Sequence, residues 1–427
     1  MSHKIIGVNE RPPLGKWIPL SFQHVFAMFG ATVLVPILTG LSPTAALFSA
    51  GSGTLLYILI TGAQVPAFLG SSFAFIPPII VISGAYGMPY ALGGAVVAGL
   101  FYALVAGIIK LAGTAWLDRV LPPVVIGSVI VVIGLNLAPT AMSMAMNGAD
   151  GSYSLVALSV AAFTLIVAIV ATIFFKGFFN VIPILIALIA GYLFVVVMGS
   201  FLPAYHLIDY SKVAAASWFG VPIFALPKFN LVACLTFVIV SLATITEHLG
   251  DVMVTSRVVG ADFYKKPGLH RTLLGDGLAT AWAAFWGGPP NTTYGENIGV
   301  MAITRVYSVW VIGGAAVIAV CLSFVTKFGA LIQTIPTPVM GGISMLLFGI
   351  IASSGLRTLV ETGVDFKCKR NLTISSVILV IGIGGGKLAF SLGADLQFQL
   401  AGVALATLVG IVLNLVLPKT VDTAVED

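Results

Sequence analysis

Long apolar stretches separated by short polar breaks follow one another along the chain from Trp17 to Leu417. A helix that crosses the hydrocarbon core of a bilayer needs about 20 predominantly apolar residues, and stretches of that length recur throughout the chain. The pattern predicts an all-α polytopic membrane protein, one integral domain over residues 1–427 with fourteen spans. The expected spans are 17–38, 44–62, 67–85, 90–112, 121–142, 154–175, 180–200, 229–255, 271–288, 289–304, 305–326, 330–354, 370–392 and 398–418.

The composition supports a lipid environment. Of the 427 residues, 59% are hydrophobic and 8% are charged, and the mean hydropathy is +1.10, whereas soluble domains carry about 25% charged residues. The net charge of +5 could suggest nucleic-acid binding, but basic residues also accumulate in the cytoplasmic loops of membrane proteins. The polar N-terminus, with Glu10, Arg11, Pro12 and Pro13, does not resemble a cleavable signal peptide.

The distribution of basic residues indicates the topology. With a cytoplasmic N-terminus, sixteen of the 20 lysines and arginines fall on the cytoplasmic side of the predicted spans, including Lys4 and Lys419. The exceptions are Lys212, Lys228, Lys327 and Lys387. This excess follows the positive-inside rule, so both termini are predicted to be cytoplasmic.

A weak internal repeat relates the two halves of the chain. The segment LPPVVIGSVIVV from Leu121 aligns without gaps to IPTPVMGGISML from Ile335, so that Pro122 matches Pro336. The offset of 214 residues is half of the chain, and because seven spans per half is an odd number, the second copy must be inverted. Inverted repeats are typical of transporters, whose substrate site lies at the repeat interface near the midplane.

Two interrupted segments occupy corresponding places in the halves. They are AFLGSSFAFIPP at Ala67–Pro78, in the third span, and GGPPNTTYGENIG at Gly287–Gly299, around the start of the tenth. Their glycine and proline residues break helices and free backbone N–H and C=O groups. A broken backbone at membrane depth is tolerated only where it is buried in protein or lines a cavity. We therefore expect the binding site at these two segments.

Three of the fifteen acidic residues fall well inside predicted spans, Glu247 and Asp251 in the eighth and Glu296 in the tenth. An ionised carboxylate at the bilayer centre costs about 2.5–3.5 kcal/mol on insertion scales, and such groups mark solute pathways or proton relays. Glu247 and Asp251 are four residues apart and share one helix face. The alternative is that one or two of them pair with a lysine or arginine, but the same spans contain no basic residue.

Other polar residues in the spans are interpreted as structural. Asp276 opens the ninth span near Arg271, which favours a capping or snorkelling role. His248 and His24 are interpreted as packing histidines without metal-site spacing, so no metal or other cofactor is predicted. The run GIGGG at 382–386 lacks the ending of a phosphate loop and favours close helix packing or a hinge. The cysteines are interpreted as packing residues without a disulfide or zinc role: Cys234, Cys321 and Cys368.

The stretch NTTYGENIGVMAITRVYS, residues 291–308, closely resembles the motif of the nucleobase–ascorbate transporter family, [Q/E/P]-N-x-G-x(4)-T-[R/K/G]. Three more stretches are similar to the bacterial uracil permeases of that family: QHVFAMFGATVLVP from Gln23, PAFLGSSFAF from Pro66 and TEHLGD from Thr246. The likeness runs from GVNERPP near the N-terminus through most of the last span. The motif positions are Glu296, Asn297, Gly299, Thr304 and Arg305.

The resemblance implies a fold of fourteen segments in two inverted repeats of seven. Residues 17–112 and 229–326 would form a core subdomain, and residues 121–200 and 330–418 a gate subdomain. In the family, the third and tenth segments contain short strands that meet at the midplane and hold the base. A homodimer in the bacterial inner membrane is expected on the same grounds.

The resemblance also implies proton-coupled uptake of uracil by alternating access, and it implies which residues bind the base. Glu247 and Glu296 would grip the pyrimidine, and backbone N–H groups around Phe73 and Gly295 would serve its carbonyl groups. Ala31, Tyr294 and the Phe73 ring would supply the walls of the site. The chemistry is consistent, because uracil is neutral with two N–H donors and two carbonyl acceptors, and ionised carboxylates are acceptors.

Proton coupling is expected from the same carboxyl groups, with Glu247, Asp251 and Glu296 as the candidates and protons as the coupling ion. Burial disfavours the charged form of a carboxyl group, and neighbouring acids disfavour it further. Asp251 departs from the family pattern, because the best-known uracil-transporting member has a histidine there and purine-transporting relatives often have an acid. The departure leaves open which carboxyl carries the proton and which base is preferred.

Two alternatives therefore stay open. The first is a purine permease of the same family that takes xanthine or urate, and the second is an anion exchanger or channel of the same architecture. An anionic substrate would favour lysine, arginine or helix N-termini at the site, whereas the predicted site is acidic. An intramembrane enzyme is disfavoured, because the sequence shows no nucleophile–base or metal constellation.

Overall fold

The computed structural model describes residues 5–391 and 397–418, and the described part of the chain is mostly helical. Most of the terminal residues that are predicted to be cytoplasmic lie outside this range. The helices are Leu14–Thr39 (α1), Pro43–Ile60 (α2), Ile76–Tyr86 (α3), Met88–Ala112 (α4), Ala115–Val120 (α5), Pro123–Asn136 (α6), Ala138–Met146 (α7), Leu155–Phe174 (α8), Pro183–Phe201 (α9), Ser211–Ala215 (α10), Leu231–Val259 (α11), Leu269–Phe285 (α12), Gly295–Thr304 (α13), Val309–Ser323 (α14), Thr326–Ile332 (α15), Thr337–Glu361 (α16), Lys369–Ile383 (α17) and Gly402–Val416 (α18). The strands are Leu69–Ser71 (β1), Asn291–Thr293 (β2), Lys387–Ser391 (β3) and Gln397–Ala401 (β4).

Each of the fourteen predicted spans contains helical structure. Eight helical segments of the described chain are long and apolar enough to cross a membrane, namely α1, α2, α4, α6 with α7, α8, α9, α11 and α16. The other six spans contain shorter helices of 10–17 residues: α3, α12, α13, α14, α17 and α18. The prediction of an all-α polytopic membrane protein is confirmed.

Local sequence signals explain where several helices begin and end. The side chain of Ser42 accepts a hydrogen bond from the N–H of Ala45 at the start of α2, and Asn230 does the same for Val232 at the start of α11. Such capping satisfies N–H groups that have no partner in the first turn. Gly260 ends α11 in the left-handed conformation with φ of 75°, which glycine adopts without a steric cost.

The twelfth predicted span is displaced along the chain. The structure ends α14 at Ser323, bends by 89° into the short helix α15, and begins α16 only at Thr337, after Pro336. Proline is favoured at the start of a helix because its missing N–H needs no partner there. The predicted bounds 330–354 are therefore about seven residues too early.

The prediction of continuous helix at the ends of spans thirteen and fourteen is wrong. Strands β3 and β4 pair antiparallel there, from Lys387 opposite Ala401 to Ser391 opposite Gln397. The glycine run at 382–386 has both a packing and a turning role. Gly382 is buried against Val132 of α6, with no room for a side chain, and Gly385, with φ of +69°, turns the chain from α17 toward β3.

The internal repeat corresponds to matching helix starts. Pro122 is the residue immediately before α6, and Pro336 holds the same place before α16. These two helices pack against each other along their length. The aligned segments of the two halves thus form equivalent, neighbouring elements.

Helices pack on one another both within and between the two predicted groups of segments. Within residues 17–112 and 229–326, α12 packs on α4 and α2, and α14 packs on α2 and α1. Among the other segments, α16 packs on α6, α7 and α8, and α17 packs on α18. Contacts between the groups include α11 with α18 and α6, and α1 with α9. The division into core and gate subdomains stays a prediction.

Candidate functional site

The two interrupted segments meet at the centre of the fold. Strands β1 and β2 pair antiparallel, with Leu69 opposite Thr293 and Ser71 opposite Asn291. After β1 the chain makes a 3₁₀ turn at Phe73–Phe75 and enters α3, and after β2 it enters α13. Two helices therefore begin beside a short buried ribbon, which confirms the strands expected in the third and tenth segments.

Side-chain hydrogen bonds between the ribbon and the neighbouring helices hold it in place. The N–H of Leu69 donates to Thr54 Oγ1 at 2.9 Å. Thr280 Oγ1 donates to the carbonyl oxygen of Asn291 at 2.6 Å, and Asn291 Nδ2 donates to the carbonyl oxygen of Ser49 at 2.9 Å. Short strands have few ladder bonds, so the hydroxyls of Thr54 and Thr280 satisfy backbone groups of the ribbon that would otherwise lack a partner.

The Tyr294 ring lies against the ribbon. Its hydroxyl donates to the carbonyl oxygen of Ser71 at 3.1 Å and accepts from Thr32 Oγ1 at 3.2 Å. A side chain at Gly70 would collide with this ring, so the close approach requires glycine. Ala31 is buried in the same apolar cluster as Tyr294.

A cavity of about 340 Å³ opens beside the ribbon. It runs toward the ends of α11 and α16, where Arg257 and Glu361 form an ion pair with a distance of 3.0 Å between Nη1 and Oε2. All but one of the predicted substrate-binding and proton-coupling residues line it: Phe73, Glu247, Asp251, Tyr294, Gly295 and Glu296. The exception is Ala31, whose small side chain is packed in the apolar cluster and is not among the lining residues.

The three predicted carboxyl groups share the wall of this cavity. Glu247 Oε2 is buried and has no hydrogen-bond partner among the described residues. Asp251 Oδ2 accepts a hydrogen bond from Thr293 Oγ1 of β2 at 2.7 Å. Glu296 lies in the first turn of α13, where the positive end of the helix dipole favours a negative charge.

Within the described residues, no lysine or arginine lies within ion-pair distance of these carboxyl groups. The ion pairs found there join Arg257 to Glu361, Lys265 to Asp262 and His248 to Asp276. The alternative that Glu247, Asp251 or Glu296 is neutralised by a basic neighbour is therefore not realised.

Backbone donors are also present at the cavity. Phe73 and Gly295 each stand at the start of a helical turn, where the first N–H groups have no partner within the helix. Among the described residues, neither N–H has an acceptor. The cavity thus offers carboxyl acceptors and free N–H donors side by side.

The structural role predicted for Asp276 is wrong. Instead of capping or snorkelling at the end of the ninth span, Asp276 is fully buried, and its Oδ2 lies 3.3 Å from His248 Nδ1. Arg271, its expected neighbour, instead donates from Nε to the carbonyl oxygen of Ile60 at 2.9 Å. The sequence could not indicate the pairing, because it depends on how α11 packs on α12.

Part of the family motif serves the fold instead of the cavity. Asn297 Nδ2 lies 3.1 Å from His24 Nδ1 and donates to the His24 carbonyl oxygen at 3.2 Å, which ties α13 to α1. Arg305 ends α13 in the left-handed conformation with φ of 57°, and its carbonyl oxygen accepts from the N–H of Ile6 at 3.1 Å. His24 is thus a buried, hydrogen-bonded histidine.

Sequence reasoning missed Thr293 as a member of the site. Its bond to Asp251 joins β2 to α11 and fixes the orientation of that carboxyl group. The available signal was the place of Thr293 in the broken segment, two residues before Gly295. Among the described residues, no group of three or more His, Cys, Asp or Glu side chains could hold a metal ion.

Comparisons with known proteins agree with the motif. A family model described as "Permease family" matches residues 15–389. The uracil permease of Bacillus caldolyticus is 55% identical over 424 residues, covering 98% of this chain and 96% of the relative. The uracil permease of Bacillus subtilis strain 168 is 52% identical over 424 residues, covering 97% and 95%.

A solved structure with a similar fold is the transmembrane domain of a cyanobacterium bicarbonate transporter, BicA. Its TM-score is 0.66 at 16% sequence identity, and the match covers 94% of this chain and 97% of that chain. At this identity the likeness concerns the fold alone. The family match places the chain among membrane permeases, not among enzymes. The chain therefore belongs to this permease family, the nucleobase–ascorbate transporters whose motif it carries.

Proposed function

We propose that this protein takes up uracil together with protons across the bacterial inner membrane by alternating access. The observation that carries the proposal is the cavity in which Glu247 and Glu296 lie beside the free N–H groups of Phe73 and Gly295. Uracil presents N–H donors and carbonyl acceptors, and this cavity offers the complement of both. The relatives named uracil permeases, which match almost the whole chain, support the choice of base.

The acidic side chains favour a neutral substrate that donates hydrogen bonds. Carboxylates bind N–H donors through charge-assisted bonds, about twice as strong as bonds between neutral groups. Arg257, the one lysine or arginine that lines the described cavity, is engaged by Glu361 at its mouth. An anion would meet repulsion at Glu247 and Glu296 without a free cation to offset it.

Alternating access is supported by the position of the cavity between the two groups of helices. Glu247 and Glu296 belong to the predicted core segments, whereas Ile130 and Leu347 come from the predicted gate segments. The Phe73 ring contacts the Phe348 ring of α16 edge-on, with 5.8 Å between centroids. The positive-inside rule assigns the end of the cavity at Arg257 to the cytoplasm.

Proton coupling is assigned to the carboxyl groups of the cavity. We assign substrate N–H recognition to Glu247 and Glu296, and proton loading to Asp251 together with these two. A carboxyl group inside a membrane protein changes its protonation as its surroundings alternate between water and substrate, which couples proton movement to transport. The homodimer expected from the resemblance is also part of the proposal. Proton coupling as assigned here does not depend on it.

Counterflow in proteoliposomes tests the proposal. Purified protein is reconstituted with unlabelled uracil inside, and entry of labelled uracil is measured against a panel of uracil, xanthine and urate. Excess uracil is expected to compete fully, and an inward proton gradient is expected to increase uptake. Competition by xanthine or urate but not by uracil would assign the protein to purines. Bicarbonate or chloride flux that survives Glu296→Gln would favour an anion transporter.

A further inference from the structure

Two titratable side chains lie buried behind the cavity and take no part in the transport step described above. His248 of α11 and Asp276 of α12 are both 0% exposed, and Nδ1 lies 3.3 Å from Oδ2. The other ring nitrogen, Nε2, lies 3.1 Å from Thr272 Oγ1. His248 follows Glu247 directly in the sequence but faces α12 instead of the cavity.

The hydroxyl of Thr272 indicates where the protons of the ring lie. Thr272 Oγ1 donates its hydrogen to the carbonyl oxygen of Leu269 at 3.0 Å. A hydroxyl group has one hydrogen, so Thr272 accepts from the ring, and His248 Nε2 carries a hydrogen. A neutral imidazole has one N–H, which leaves Nδ1 with a lone pair that faces the carboxyl group of Asp276. That contact is repulsive unless a second proton lies between them.

The surroundings of Asp276 lead to the same conclusion. Among the described residues, neither oxygen of its carboxyl group accepts a hydrogen bond of good geometry. A buried carboxylate without hydrogen bonds or a paired cation is strongly disfavoured. The titratable groups facing it bring no positive charge: Tyr57 of α2, Tyr102 of α4, and Glu247 and Asp251 of α11. The Tyr102 hydroxyl is itself bonded to Thr244.

We propose that His248 and Asp276 hold one proton between Nδ1 and the carboxyl group, in addition to the proton on Nε2. The two residues then form a neutral pair that fastens α11 to α12 and adds no net charge behind Glu247 and Asp251. His248 acts as a positioning residue for Glu247. This positioning role rests on the proposed function, whereas the protonation of the pair does not.

Nitrogen NMR of the whole protein, labelled with ¹⁵N-histidine, tests the protonation directly. The chain contains five histidines, and the His248 signals are identified as those missing from the His248→Gln variant, or by exclusion with variants of the other four. A hydrogen on Nε2 is expected, together with a second hydrogen between Nδ1 and the carboxyl group of Asp276. An Nε2 without hydrogen, or an Nδ1 that shares no hydrogen with this carboxyl group, would overturn the proposal.

Uracil binding tests the positioning role. The His248→Gln variant can still donate to Thr272 but lacks the partner of Asp276, and it is expected to raise the Kd for uracil about tenfold or more. The exposed His206 is the matched control, and His206→Gln is expected to leave the Kd within about twofold. A His248→Gln protein that folds and binds as tightly as wild type would remove the positioning role. If wild-type protein binds no uracil, the proposed function fails, but the NMR result still decides the state of the pair.

Discussion

Replacement of Glu247 by glutamine tests the assignment of the cavity most directly. Glutamine keeps the size and one carbonyl oxygen of the side chain and removes its negative charge. A hydrogen bond to a charged group contributes about 1.5–3 kcal/mol and a neutral one about 0.5–1.5 kcal/mol. The loss of charge is therefore expected to cost about 1–1.5 kcal/mol of binding, which raises the Kd for uracil about five- to twelvefold.

The structure indicates that this substitution removes the charge without breaking an internal hydrogen bond. Glu247 Oε2 has no hydrogen-bond partner among the described residues, so the change to glutamine removes no internal bond that the fold requires. Glu361→Gln is the matched control, because that carboxyl group lines the same cavity at its mouth and is paired with Arg257. An exposed pair of this kind contributes at most about 1 kcal/mol, and its loss is expected to change the Kd for uracil less than twofold.

Calorimetry or equilibrium binding with purified protein measures both variants, and proteoliposome uptake follows in parallel. Proton-driven uptake by Glu247→Gln is expected to be abolished, since the variant binds more weakly and lacks one titratable group. A Glu247→Gln protein with wild-type thermal stability and a Kd within about twofold of wild type would refute the assignment of this carboxyl to the N–H groups of the base.

Three further changes probe separate parts of the site. Asp251→Asn is expected to uncouple uracil uptake from the pH gradient, and unchanged pH dependence of uptake would remove Asp251 from the relay. Asn297→Ala breaks the tie to His24, which is expected to cost about 1–3 kcal/mol of stability; a melting temperature equal to wild type would show that the tie is not needed. Reversal of the charge of Arg257 or of Glu361 alone is expected to lower the uptake rate, and reversal of both charges together is expected to restore it. A double variant as slow as the single variants would contradict a pair across the cavity mouth.

Much of the fold follows from patterns that the sequence carries locally. Apolar length identified the spans, and the broken segments around Gly70 and Asn291 marked the place where the two halves meet, because a broken backbone needs partners that only a buried site supplies. The pairing of β3 with β4 was not predicted, because the two strands look like helix in the sequence. KLAFS and QFQLA continue the apolar pattern of the adjoining helices, and short apolar runs do not distinguish strand from helix.

The parts of the site that the sequence did not indicate depend on contacts between distant segments. Thr293 and Asp251 are 42 residues apart, and they meet because β2 packs beside α11. His248 and Asp276 were both assigned structural roles, yet nothing in either segment reveals that they face each other. A single sequence identifies buried polar residues as costly, whereas the partner that offsets the cost is set by helix packing.

The likeness to the transmembrane domain of the bicarbonate transporter concerns the fold alone, so the kind of ligand has to be argued from the residues at the cavity. The two chains share a similar framework. In this chain α3 and α13 begin beside the central ribbon, and helix N-termini attract anions. Here Glu296 occupies the first turn of α13 and places its own negative charge at that end. Glu247 and Asp251 lie on the same wall, so acidic side chains of the protein itself offset the positive ends of the helices. A ligand of this cavity must donate hydrogen bonds to the carboxyl groups and accept them from the free backbone N–H groups. A neutral nucleobase can do both, whereas an inorganic anion cannot donate.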